Sequence, residues 1–302
     1  MTIMIRPIVA GVVDIREGLS AADWAAREAL RRGLPLRLVH AWEAGLPERE
    51  TESALPELKA PQYHARRVLH TALDRLSERY PQLNITAEQV HRMPVPALLA
   101  ESENAELLVI GSQGPSGLGG FISGSVALAT AARIERPLVL VRAGETAEDE
   151  HLPDDDAKPS PNTPLRDVAV AVDVDGTSEE VLGFAFHAAE MRRAPLRAIH
   201  AWHPPFSHGL PDAAERARTR AKAERELTEL LGPWREKFPT VFVKEDLHEG
   251  RPAHVLVDAA AGAGLLVVGH RMRRAAIGAH TGPVAHALIH HVREPVVLVP
   301  HD

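Results

Sequence analysis

The chain has 302 residues, 45% of them hydrophobic and 25% charged, with no cysteine and a net charge of −7. At roughly 150 residues per domain this length suggests two domains of ordinary globular composition. The missing cysteine excludes a disulfide scaffold, a thiolate metal site and a cysteine nucleophile, while the acidic balance and 4% aromatic content argue against nucleic acid or anionic lipid as partner.

The N-terminal stretch MTIMIRPIVAGVVD is apolar but broken by Arg6 and Pro7, with no basic region ahead of an apolar run. It reads as a first strand, Ile5–Val13, and a cytoplasmic location is expected. The longest uncharged apolar stretch, Ala259–Gly269, falls short of the ~20 residues that span a bilayer. Strands follow near Leu36–Trp42, Ile85–Val90, Leu107–Gly111 and Leu138–Val141, separated by helical patterns near Ser20–Arg32, Pro61–Tyr80, Val95–Glu103 and Ser125–Arg133. Ser20 and Asp23 stand at capping-box spacing, which predicts the first helix to begin at Ser20. LLVIG and PLVLV are apolar on both faces, as strands are where helices cover both sides of a parallel sheet.

The plan then repeats. Trp24–Trp42 (WAAREALRRGLPLRLVHAW) and Phe184–Trp202 (FAFHAAEMRRAPLRAIHAW) share nine of nineteen residues at an offset of 160. At an offset of 158, LLVIG at 107–111 answers LLVVG at 265–269, and PLVLV at 137–141 answers PVVLV at 295–299. Three colinear matches mark a duplicated domain. The second copy has strands near Asp167–Asp173, Leu196–Trp202, Val241–Glu245, Leu265–Gly269 and Val296–Val299. Between the copies, Glu145–Pro164 holds seven acidic residues, one lysine and four prolines, and reads as a linker. The division is therefore 1–144, 145–164 and 165–302, with each copy a doubly wound α/β domain. In such sheets a ligand sits at the carboxyl ends of the strands, at the topological switch point.

After its fourth strand the first copy reads GSQGPSGLGGFISGS, with six glycines among the fourteen residues 111–124 and no charge. Glycines let backbone N–H groups approach phosphate oxygens, and the helix that follows adds partial positive charge. The loop has neither the lysine of a P-loop nor GxGxxG spacing. Its pattern, Gly111-x2-Gly114-x9-Gly124-Ser125, resembles the G-x2-G-x9-G-S/T signature of the universal stress protein family. With the PLRLVHAW, LLVIG and PLVLV strands, the resemblance covers nearly the whole chain outside the linker, in tandem.

The resemblance implies a five-stranded parallel sheet in the order 3-2-1-4-5 and, in one subclass, ATP binding. In the first copy it points to Gly111, Gly114, Gly124, Ser125 and Val126 for phosphates and ribose, and to the Ala41 backbone for the adenine edge. The family's first-strand aspartate falls at Val13, with Asp14 one residue later; either Asp14 still reaches the nucleotide or that contact is lost. The second copy keeps Asp173 there, with Ala201, Gly269 and Gly282, but Met272 replaces the second glycine and Pro283 the Ser/Thr. Arg271 could attract an anion by side-chain charge, making Asp173, Ala201, Gly269, Arg271 and Gly282 a possible second site.

Other residues read more plainly. The seventeen histidines, including His40, His200 and the His290–His291 pair, lack metal-ligand spacing and read as solvated or core residues. Trp42 and Trp202 read as packing groups, and the basic helix around 213–231 as a solvated face. No GxSxG elbow or acid pair supports catalysis, so no enzyme is expected. The expected function is a stress-response regulator that binds ATP, with or without magnesium, chiefly in the first domain and with little or no hydrolysis. The alternative is a nucleotide-free interaction scaffold. The family also implies pairing of domains, or of two chains as a homodimer, through the last strands.

Overall fold

The computed structural model describes residues 5–12, 15–42, 60–112, 124–158, 160–204, 212–272 and 281–301, the side chains of 15–17 and 60–65 excepted. The chain divides into two compact units, Met1–Thr146 and Ala147–Asp302.

In the first unit the strands are β1 (Ile8–Gly11), β2 (Leu36–Trp42), β3 (Ile85–His91), β4 (Leu107–Ser112) and β5 (Leu138–Arg142). The helices are α1 (Ile15–Arg32), α2 (Ala60–Arg79), α3 (Pro94–Glu103) and α4 (Ser125–Ala131). All neighbouring strands are parallel, in the order β3-β2-β1-β4-β5. The second unit repeats this as β8-β7-β6-β9-β10, with β6 (Val168–Val172), β7 (Leu196–Trp202), β8 (Val243–Glu249), β9 (Leu265–Arg271) and β10 (Val296–His301). Its helices are α5 (Glu179–Arg192), α6 (Ala213–Lys237), α7 (Pro252–Ala259) and α8 (Pro283–His291). Each unit thus has the 3-2-1-4-5 order.

Burial follows from the sequence pattern. Every residue of β1 is buried, as are Leu107 to Ile110 of β4, because helices cover both faces. On α1 the residues Ala21, Ala22, Ala25, Ala26 and Ala29 are wholly buried, a stripe of small side chains at helical spacing that lets the helix lie close to the sheet. On α5 the same face carries Val181, Leu182, Ala185, Phe186 and Ala189. The edge strands β3 and β8 are polar and half exposed, which discourages pairing with foreign strands.

Three local expectations are revised. Helix α1 starts at Ile15, not Ser20; Ser20 lies inside it, and its hydroxyl accepts from the Gly144 N–H at 3.0 Å. Strand β8 runs two residues later than its apolar start suggests and continues through Asp246 and Glu249, because β7 offers pairing along its full length. The acidic segment carries local structure of its own. His151 and Leu165 form an antiparallel bridge, Arg166 N–H donates to Glu150 O at 2.8 Å, and Leu152 N–H donates to Pro164 O at 2.9 Å. Between them Asp154 Oδ1 accepts from the N–H groups of Asp156 and Lys158, an aspartate turn that its sequence favours.

Candidate functional site

The order 3-2-1-4-5 reverses direction at the first strand of each domain, so the ends of the first, second and fourth strands gather around one crevice. In the first domain Ala41 lies near the carboxyl end of β2, and Gly111 near that of β4, opposite Val141 of β5. Gly124 caps α4, with Ser125 and Val126 opening its first turn. Val13, Asp14 and Gly114 lie outside the described residues. His40, 6% exposed, turns Nδ1 to the Val12 carbonyl at 2.5 Å. Trp42 stacks on His91 with ring centroids 4.7 Å apart.

The second domain holds a formed cleft of about 700 Å³. That is the size of a small-molecule pocket. Asp173, Ala201, Gly269, Arg271 and Gly282, the five residues expected there, all line it. Asp173 follows β6 directly and is held by a tight turn. Its N–H donates to Thr177 Oγ1 at 2.6 Å, and its carbonyl accepts from Gly176 and Thr177 N–H at 3.0 and 2.7 Å. One carboxylate oxygen accepts from Asp175 N–H at 3.3 Å. The other lies 3.2 Å from where a Gly176 Cβ would stand, and Arg271 Nη2 lies 3.4 Å from the same point. Glycine at 176 therefore leaves room for a carboxylate and a guanidinium to face one wall of the cleft.

Arg271 is the last residue of β9, so the sheet itself presents it. Gly269, two residues earlier, has a steric reason to be glycine: a Cβ there would come within 2.9 Å of His301 Nε2 and 3.2 Å of Val181 Cγ2. Gly282 caps α8, whose first position is Pro283. Proline there removes an N–H that an anion would otherwise meet, so α8 offers fewer donors than a Ser/Thr start would.

Several lining residues were not expected as site residues. His200, read as core or solvated, and Trp202, read as packing, both face the cleft. So do Thr219, Lys222 and Glu226 of α6, where Lys222 and Glu226 pair at 3.3 Å. The signal for the last three was their spacing, which puts them on one stripe of the helix. For His200 and Trp202 it was the HAW repeat ending each second strand. Among the described residues no group of three or more acidic or histidine side chains is placed to hold a metal ion, and no helix is long and apolar enough to cross a membrane.

The model of the family described as "Universal stress protein family" matches residues 4–142 and again 164–300. The chain is 31% identical over 297 residues to the universal stress protein Rv2005c of Mycobacterium tuberculosis, covering 96% of each. It is 32% identical over 298 residues to universal stress protein Rv2623 of the same species, covering 96% of this chain and 95% of that protein. Among solved structures, a universal stress protein from Archaeoglobus fulgidus superposes with a TM-score of 0.65 at 14% identity, covering 98% of both chains. At that identity the likeness speaks for the fold alone.

Proposed function

Since the chain belongs to the universal stress protein family, as a tandem of two family domains, we propose that it is a regulatory protein that binds an adenine nucleotide, ATP in the first instance, at the carboxyl ends of its strands, with little or no hydrolysis. One observation supports this reading: the four residues that the family pattern marks in the second copy, Asp173, Ala201, Gly269 and Gly282, line a single cleft of nucleotide size together with Arg271. In the first copy the glycine signature is complete in sequence, and Gly111, Gly124 and Ser125 stand at the strand end and helix start where phosphates would be cradled. Two differently built clefts in one chain follow. The first relies on backbone donors; the second relies on Asp173, Arg271 and a shorter set of helix N–H groups.

Titration calorimetry of ATP into nucleotide-stripped protein tests the reading, with Asp173→Ala and Gly124→Val variants run alongside. Two sites per chain are expected, Asp173→Ala removing one and Gly124→Val the other. No heat at millimolar ATP, together with an unchanged thermal midpoint, would leave only a nucleotide-free scaffold of the same fold.

A further inference from the structure

The second-domain cleft contains a polar atom without a partner among the described residues, and the fold sets its chemical character. His200 is 8% exposed and lines the cleft. Its Nδ1 lies 2.9 Å from the carbonyl oxygen of Val172, the last residue of β6 and its register partner. A carbonyl only accepts, so Nδ1 carries the proton, and in the neutral ring Nε2 is an acceptor. Among the described residues none bonds Nε2, and the ring that carries it lines the cleft. A half-buried acceptor left open in a cavity wall is completed by whatever fills the cavity.

We infer that His200 is a specificity-determining residue of this cleft: its Nε2 accepts a hydrogen bond from a donor group of the bound ligand. Asp173, on the adjoining strand end, is likewise an acceptor when ionised, so these two groups take N–H and O–H donors, while Arg271 beside Asp173 supplies a donor. The inference rests on the adenine-nucleotide reading, and an adenine nucleotide has two such donors, the 6-amino group and the ribose hydroxyls. The acceptor discriminates because a ligand without the matching donor leaves Nε2 desolvated and unpaired.

The same ring also steadies the end of β6, so the test separates reading from holding. In His200→Asn the amide N–H reaches the position of Nδ1 and keeps the bond to Val172, while nothing remains at Nε2. Occupancy is read from the fluorescence of Trp202, which lines the same cleft, with Trp202→Phe identifying its share of the signal. Full-length protein is titrated with ATP, with purine riboside 5′-triphosphate, which lacks the 6-amino group, and with 2′-deoxy- and 3′-deoxy-ATP. In the parent protein one class of analogue is expected to bind about tenfold more weakly than ATP, and in His200→Asn that gap closes with the thermal midpoint unchanged. A gap for the purine riboside assigns the amine as the donor, and a gap for a deoxy analogue assigns a hydroxyl; either supports the inference. If ATP quenches Trp202 but the gaps are the same in both proteins, His200 only holds the strand, and the inference fails while nucleotide binding stands. If no nucleotide changes Trp202 fluorescence at millimolar concentration, both fail for this cleft.

Discussion

Arg193 shows how a single position can diverge between the two copies while its geometry is kept. At the end of α1, Gly33 has φ +63, and Leu34 N–H closes the turn onto Ala29 O at 2.9 Å. At the end of α5 the equivalent residue is Arg193, with φ 48, and Ala194 N–H closes the same turn onto Ala189 O at 3.1 Å. The left-handed conformation is natural for glycine and strained for arginine. Arg193→Gly should therefore stabilise the second domain by about 0.5–1 kcal/mol, the strain relieved less the extra unfolded-state entropy of glycine; chemical denaturation measures it, and a loss of stability would contradict the strain argument. His270 of β9 is a second such position. It is 3% exposed and its Nδ1 has no hydrogen-bond partner. Burial, and after it the nearby His301, holds its pKa below the ordinary histidine value. The unfolded chain takes up this proton as pH falls through about 6.5 and the folded chain resists it, so stability present above that pH is lost on acidification. His270→Gln should flatten the fall in thermal midpoint between about pH 7.5 and 5.5; an equally steep fall would acquit His270.

Between elements, the copies solve one packing problem with different chemistry. Where α1 meets the end of α2, Asp23 accepts from Tyr80 Oη at 2.9 Å and Arg79 Nη1 at 3.1 Å, and it pairs with Arg27, which also binds Glu145 at 3.0 Å. Burial and the Asp23 charge raise the Tyr80 pKa, so the phenol stays protonated and donating. At the matching place in the second domain, Asp23 is replaced by Gly183, Leu76 by Trp234 and Tyr80 by Phe238. There Phe186, Trp234 and Phe238 cluster with centroids 5.4 to 6.1 Å apart, and a Cβ on Gly183 would stand 3.3 Å from the Trp234 ring. Glycine at 183, where the first copy has aspartate, leaves room for the indole. Asp23→Ala should destabilise the first domain by about 1–3 kcal/mol, since it strands the part-buried donors of Tyr80 and Arg27; chemical denaturation measures it, and a loss below about 0.5 kcal/mol would mean that these donors are satisfied without the carboxylate.

At the scale of the molecule, the duplication, the strand order of each domain and the place of the second cleft were legible in the sequence. They rest on long apolar strands and a crossing point that topology places for every such sheet. Asp173 and Gly269 could be named because the family pattern marks them, and Arg271 because it adds a charge just after Gly269. The rest was hidden for physical reasons. Ser20 carries a cap signature, but its hydroxyl serves a backbone N–H 124 residues away, which no local pattern encodes. His200 looks like any strand histidine until the neighbouring carbonyl fixes its tautomer. Thr219, Lys222 and Glu226 belong to a helix with charges all round, and nothing in its sequence marks which stripe meets the cleft.

The acidic stretch between the copies also has a mechanical consequence. Its two ends are clipped together, Glu150 to Arg166 and Leu152 to Pro164, so the chain leaves its path after Leu152 and rejoins it at Pro164, beside the same point. The span that the chain can bridge between β5 and β6 is set by the few residues outside the clip, whatever the loop contains. Extra chain spliced in at Asp155–Asp156, a peptide tag or a small folded probe, would add mass without adding slack, whereas breaking the clip would release more than a dozen residues of tether at once. Hydrogen exchange at the Leu152 and Arg166 amides should stay slow through the first change and speed up with the second.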